Sequence, residues 1–188
     1  LIPDGDRLTL CLSTQAGCAR RCAFCMTGAQ GLAGNLTPGD IVGQYEEAPG
    51  RDRVTNLVYM GMGEPLDNLD AVLESLAVFE HPDGYGMSPT RLTVSTVGVL
   101  PALDRLIAES RCHVALSLHT PFPAQRAEWM PVEKTSPLRD VLAVLRRADI
   151  GGQRRLTFEM ILMKGFNDSP RHAEATASLL RGWRCRFS

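Results

Sequence analysis

Three cysteines in the stretch GCARRCAFCMTG, Cys18, Cys22 and Cys25, are separated by three and then two residues. Thiolates so closely spaced select soft metals, chiefly zinc and iron-sulfur clusters. A structural zinc site is closed by four ligands, and no further His or Cys stands at a suitable spacing: Cys11 lies in the segment before, and His81 is far downstream. A [4Fe-4S] cluster held by three cysteines keeps one iron open, and that iron can bind a small molecule. The absent fourth ligand is then a place for chemistry.

Other residues with chemical capacity are scattered. Gly63 and Glu64 lie within GMGEP, Ser95 within STVG, and Ser117 and His119 within SLH, while Cys11 stands seven residues before Cys18. Taken alone, GMGEP reads as a tight turn in which Pro65 opens the next loop. His119 alone reads as a satisfied core histidine, and Cys11 as a small buried hydrophobe. Glu159 is either a lumen carboxylate or a hydrogen-bonded core residue. Cys112 and Cys185 read as structural, Met60, Met62 and Met87 as packing residues, and Asn68 and Asn167 as caps or turns.

These residues need elements to place them. Runs rich in β-branched and apolar residues at 7–13, 54–61, 91–98, 113–119 and 155–163, with RCRFS opening a sixth, alternate with helical patterns at 37–47, 69–79, 100–109, 136–148 and 169–181. In the fourth helix Ser136 is the expected cap and Pro137 the first-turn residue. Strand followed by helix, about five times over, predicts parallel strands joined by right-handed crossovers.

Strand parity separates a barrel from a flat doubly wound sheet. Leu8, Leu10 and Leu12 share one face of the first strand, and Thr9, Cys11 and Ser13 the other. Thr93 and Ser95 oppose Leu92 and Val94; His113, Ser117 and His119 oppose Val114, Leu116 and Leu118; Thr157 and Glu159 oppose Leu156, Phe158 and Met160. A sheet covered by helices on both faces is apolar on both. Polar rows opposite apolar rows predict instead a curved sheet, a partial TIM-like (βα)6 barrel with its site at the C-terminal strand ends. The alternative is that the polar residues are hydrogen-bonded core members.

With 188 residues, 44% of them hydrophobic, and a net charge of -1, the chain is sized for one domain with a real core. It has no apolar run of about 18 residues and no signal-peptide pattern, which reads as a cytoplasmic protein with no membrane partner. Three of its six cysteines cluster and three are scattered, which fits a reducing compartment better than a disulfide framework. The basic pairs Arg20-Arg21, Arg146-Arg147 and Arg154-Arg155, and the segment from Arg181 to Arg186, read as solvated surface. The chain opens on Leu1 and closes on CRFS, so both ends are expected to be incomplete.

The C-x3-C-x2-C spacing, with the aromatic Phe24 before the last cysteine, resembles the signature of radical S-adenosylmethionine (radical-SAM) enzymes. LCLSTQAGCARRCAFCMTGAQGLAGNLTPGDIVGQ, NLVYMGMGEPLDN, LTVSTVGVLPALDRL, ALSLHTP and LTFEMILMKGFND are similar, in order, to blocks of the RlmN/Cfr family of radical-SAM RNA methyltransferases, most closely its RlmN branch. The resemblance implies a core that methylates carbon 2 of an adenosine in 23S rRNA and in tRNA. It implies a [4Fe-4S] cluster ligated by Cys18, Cys22 and Cys25, and S-adenosylmethionine bound by Gly63, Glu64, Ser95, Ser117, Leu118 and His119. The cofactors carry the hard chemistry, and an electron donor such as flavodoxin or ferredoxin reduces the cluster. In this family two S-adenosylmethionine molecules are used and a methyl group is carried on a C-terminal cysteine. Cys11 matches the cysteine that attacks that carrier sulfur, closes a disulfide and releases the methylated RNA.

Four family parts have no counterpart in these residues: the methyl-carrying cysteine, an Asn that helps hold S-adenosylmethionine, a proton-abstracting glutamate, and the N-terminal RNA-binding domain. Residues 1–188 are accordingly expected to be the core domain alone, able to hold the cofactors and unable to turn over. The alternatives are the C8-methylating branch, a glycyl-radical activase, and a zinc or electron-transfer module.

Overall fold

The structure is a computed structural model that describes residues 1–148 and 150–188. In β6, Leu92–Thr96, every second residue is buried and the intervening Thr93 and Ser95 are partly open. The same alternation runs through β5, Asn56–Tyr59, and β8, Leu156–Glu159. With β2, Arg7–Cys11, β7, His113–Ser117, and β9, Arg186–Phe187, these strands form one sheet in the order β2-β5-β6-β7-β8-β9, all parallel. A short strand β1, Ile2–Asp4, pairs antiparallel with β2 at the edge.

The apolar rows do what their parity predicts. Leu57, Leu92, Val94, Val114, Leu116, Leu156 and Phe158 are buried in one core with Ile41, Val72, Phe79, Leu103, Leu106 and Val141 from the crossover helices. Burial of each such side chain contributes about 2 kcal/mol. The helices are α2, Pro38–Glu46, α3, Leu69–Glu80, α4, Ala102–Glu109, α6, Leu138–Arg147, and α7, Pro170–Leu179. In α6 the buried Leu138, Val141, Leu142 and Leu145 recur at three, four and seven residues, one stripe facing the sheet. The curled parallel sheet with one apolar face bears out the partial (βα)6 barrel and not the flat doubly wound sheet.

Some local expectations hold and others are corrected. Thr37 caps α2 as a full capping box with Asp40. Ser136 does not cap α6: its hydroxyl accepts from the Leu100 N–H, and the Glu133 carboxylate accepts from the Leu138 N–H instead. The last strand pattern ends at Glu159, because residues 160–163 leave the sheet. Two elements had no periodicity long enough to read: a hairpin of β3, Gln15–Gly17, and β4, Leu32–Asn35, which encloses α1, Met26–Gln30, and the short helix α5, Pro123–Trp129. Of the basic pairs, Arg21, Arg146, Arg147 and Arg155 are exposed, as read, whereas Arg154 is half-buried and donates to the Cys112 and Ile107 carbonyls. Arg20 is half-buried against Asp67, Arg147 pairs with Asp104, and Arg146 lies over the Trp183 ring. Among the described residues no helix is long and apolar enough to cross a membrane.

Candidate functional site

The β3-β4 hairpin exists to hold the cysteine loop. Gln15 pairs with Asn35 and Gly17 with Leu32, and the Cys18 N–H donates to the Gly31 carbonyl at 2.9 Å, so the loop leaves and returns at one point. Inside it the Cys25 N–H donates to the Cys22 carbonyl. The buried Gly28 of α1 lies against the loop backbone: a Cβ there would stand 3.1 Å from Arg21 Cα and 3.2 Å from Cys22 N. The Arg20-Asp67 ion pair ties the loop to the segment after GMGEP, and the Ala23 N–H donates to the Trp129 carbonyl at the end of α5.

The thiols sense one another. Burial raises the Cys18 thiol, and burial followed by Cys18, Cys25 and Glu64 pushes Cys22 up to about 11. The Cys18 and Cys22 thiols therefore hold their protons at neutral pH, and a soft metal that binds them must displace those protons. Among the described residues no three His, Cys, Asp or Glu side chains are gathered as a single metal ion requires.

Next to the loop, at the C-terminal strand ends, lies an open cleft of about 440 Å3 lined by Phe24, Met60, Gly63, Glu64, Ser95, Ser117, His119 and Glu159, among others. The polar row predicted from parity thus meets GMGEP and the cysteine loop at one place. Ser95 Oγ donates to Glu159 Oε2 at 3.0 Å across the concave face, which makes Glu159 a lumen carboxylate. Met60 is 41% exposed here and is not a packing residue.

Glu64 is both a turn residue and a cleft residue. Its carboxylate accepts from the Leu66 N–H, the Val97 N–H and the Thr96 hydroxyl, so it closes the turn after β5 and grips the end of β6. Burial pushes its carboxyl up to about 7, while these three donors pull the other way. Gly63 precedes it at φ +103°, and a Cβ there would stand 2.6 Å from Gln15 Cβ. Gln15, itself buried, accepts from the Glu64 N–H and donates to Asn35.

His119 and Arg21 are the non-glycine residues with positive φ among those described, at 56° and 52°, and both stand at this site. The His119 Nδ1 accepts from the Ile161 N–H at 3.2 Å, which leaves the ring proton on Nε2. Burial, with the Arg126 charge behind it, lowers His119 to about 4. Asn167, more than a turn residue, donates to the carbonyls of His119 and Ile161, and Asn68 donates to those of Thr14 and Leu36.

Of two further predicted residues, Leu118 sits differently and Cys11 sits on the face that strand parity gave it. Leu118 has its side chain in the core, its N–H on the Glu159 carbonyl and its carbonyl on the Thr120 N–H, so within SLH the groups facing the cleft are Ser117 and His119. Cys11 lies on the concave face of β2, half-buried, and the Met60 N–H reaches its thiol, which burial raises. Cys112 is fully buried beside Ser110, as a structural cysteine should be.

Comparison with known proteins then decides the family. The model of the radical SAM superfamily matches residues 12–176. The chain belongs to the radical SAM superfamily. A "Probable dual-specificity RNA methyltransferase RlmN" of Parabacteroides distasonis is 50% identical over 187 residues, covering 100% of this chain and 54% of that protein. A "Dual-specificity RNA methyltransferase RlmN" of Syntrophobacter fumaroxidans is 45% identical over 192 residues, covering 100% of this chain and 56% of that protein. The crystal structure of a radical SAM methyltransferase from Sphaerobacter thermophilus superposes with a TM-score of 0.93 at 40% identity, over 99% of this chain and 56% of that one. The radical SAM chain thus spans about half the length of these relatives.

The superfamily's [4Fe-4S] cluster and S-adenosylmethionine suit the residues present. The donor set is three soft thiols on one loop, and Glu64 keeps an unused acceptor position beside it. Gln15, Asp67, Arg126 and Trp129, which sequence reasoning missed, and Asn68, which it read as a cap or turn, act by holding others in place. Their signal is contact between distant segments, which no spacing reveals.

Proposed function

We propose that residues 1–188 form the core domain of an RNA methyltransferase that places a methyl group on carbon 2 of an adenosine in 23S rRNA and in tRNA. One observation carries the reading: the three-cysteine loop is docked, through Phe24, on the mouth of the cleft that holds Glu64, Ser95, Ser117 and His119. The names of the relatives, aligned over the whole chain, support the RNA substrate.

Cys18, Cys22 and Cys25 would each ligate one iron of the cluster. When bound, the cluster and S-adenosylmethionine supply a carbon radical able to take hydrogen from an unreactive C–H bond. Glu64 has four acceptor positions, three of them filled, and offers the last to an ammonium group. Gly63 lets the backbone come close, Ser95 and Ser117 offer hydroxyls, and His119 offers its Nε2–H as a neutral donor. Cys11 supplies the thiolate that ends the cycle. Its Sγ attacks the sulfur of a carrier cysteine linked to the RNA methylene, the S–S bond forms, and the C–S electron pair stays on carbon, which takes a proton as methylated RNA leaves. A flavodoxin or ferredoxin is the proposed electron donor, and the cytoplasm the proposed location.

The test uses the full-length protein under anaerobic conditions with labelled S-adenosylmethionine and RNA. Digestion of the RNA should yield 2-methyladenosine, and Cys11→Ala should stall as a covalent protein-RNA adduct. Label on carbon 8, or free product from Cys11→Ala, would refute this assignment.

A further inference from the structure

Arg126, on α5, is fully buried, and a guanidinium out of water is tolerated only when acceptors surround it. Its Nη1 donates to Glu133 Oε2 at 2.6 Å, and its Nη2 donates to the Val97 carbonyl at 2.8 Å and the Ser117 carbonyl at 3.3 Å. Nε is buried with no hydrogen-bond partner among the described residues. The two carbonyls lie at the ends of β6 and β7, the strands that bring Ser95 and Ser117 to the cleft. Three residues further along α5, Trp129 accepts from the Ala23 N–H and stacks on Phe24 at 6.4 Å and 20°. One short helix therefore fastens the strand ends at Arg126 and the cysteine loop at Trp129.

The ion pair is also oriented. Arg126 Nη2 lies against the carbonyls of Val97 and Ser117, two residues that line the cleft, so the cationic end of the pair faces the site. Glu133 is turned away, with both oxygens on the Leu138 N–H at the start of α6. A buried positive charge beside a group that gains an electron stabilises the reduced form, and little water is present to screen it.

We propose that Arg126 is the positioning residue of this site: a buried cation that joins the ends of β6 and β7 to the cysteine loop and makes the electron acceptor held by the three cysteines easier to reduce. The inference rests on the reading that Cys18, Cys22 and Cys25 carry an iron-sulfur cluster.

The experiment reconstitutes full-length wild type, R126K, E133Q and R126M/E133Q anaerobically, counts iron, and measures the midpoint potential of the cluster by spectroelectrochemistry with mediators. The double variant is chosen because R126M alone leaves Glu133 buried and unpaired. At a fixed potential the ratio of reduced to oxidised cluster should fall about tenfold in R126M/E133Q, a shift of about 59 mV to the negative for one electron. E133Q should shift the other way, because it leaves the Arg126 charge uncompensated. R126K keeps the charge and should stay near the wild-type potential, while its ammonium cannot reach both carbonyls and Glu133, so its Kd for S-adenosylmethionine should rise several-fold. Equal potentials in iron-loaded wild type and R126M/E133Q, or an R126K shift as large as that of the double variant, overturn the proposal. If the double variant does not fold, the direction of the E133Q shift decides. Absence of iron from the wild type removes the cluster reading and this inference together.

Discussion

The rings of Phe24 and His119 meet in a T-shaped contact with centroids 4.7 Å apart at 76°, and this contact joins the cysteine loop to the end of β7. Aromatic pairs of this geometry add about 1 kcal/mol beyond the area they bury. Phe24→Ala should lower the unfolding free energy by about 2 kcal/mol in denaturant titration and reduce the iron retained after reconstitution, and Phe24→Tyr should restore both. Iron retention equal to wild type in Phe24→Ala would show that the loop is held without this contact.

His119 gives the site a pH dependence of known sign. Its pKa falls from the ordinary 6.5 to about 4 in the folded protein, so below pH 6.5 the unfolded chain takes up a proton that the folded chain refuses. The contribution of His119 to stability is present above about pH 6.5 and is lost as pH falls toward 4, by up to about 3 kcal/mol. Asn tolerates the left-handed backbone, so His119→Asn removes the titration without adding strain at φ 56°. The stability difference between wild type and His119→Asn should shrink on acidification over this window, and a pH-independent difference would contradict the buried neutral ring.

Gly63→Ala tests the close approach before Glu64. At φ +103°, with Gln15 Cβ at 2.6 Å, no side chain fits without moving the β3 backbone. A loss of at least about 2 kcal/mol is expected, with weakened binding of S-adenosylmethionine in calorimetry. Gly5→Ala, where a Cβ meets nothing within 4 Å, serves as the control, although its positive φ costs something.

Glu64→Gln keeps the shape and swaps one acceptor oxygen for an NH2 that faces a donor. At least one of the bonds from Leu66, Thr96 and Val97 is lost, at a cost of about 1–3 kcal/mol. The affinity for S-adenosylmethionine should fall by more than the affinity for an analogue without the ammonium group. Equal losses for both ligands would mean that Glu64 serves only to shape the turn.

Much of this site was legible because its signals are local. The alternation of Leu92 and Val94 with Thr93 and Ser95 gave the concave face, and the spacing of Cys18, Cys22 and Cys25 gave the loop that sits on its rim. The hairpin around that loop was not legible, since Gln15–Gly17 and Leu32–Asn35 are too short for any period to register. Arg126 illustrates the same limit in energetic terms. Composition assigns an arginine to the surface, and only the convergence of Glu133, Val97 and Ser117 from three separate segments makes its burial tolerable. Ser136 was misread as a cap because a stronger acceptor, the Glu133 carboxylate, takes the helix N-terminus instead.

Anaerobic reconstitution of the full-length protein with iron and sulfide, followed by metal analysis and electron spin resonance with and without S-adenosylmethionine, decides whether Cys18, Cys22 and Cys25 hold a cluster with one open iron. About four irons per chain and a spectrum of the reduced cluster that changes when S-adenosylmethionine is added are the predicted result. One zinc per chain with no iron, or a loaded cluster whose spectrum ignores S-adenosylmethionine, would contradict it.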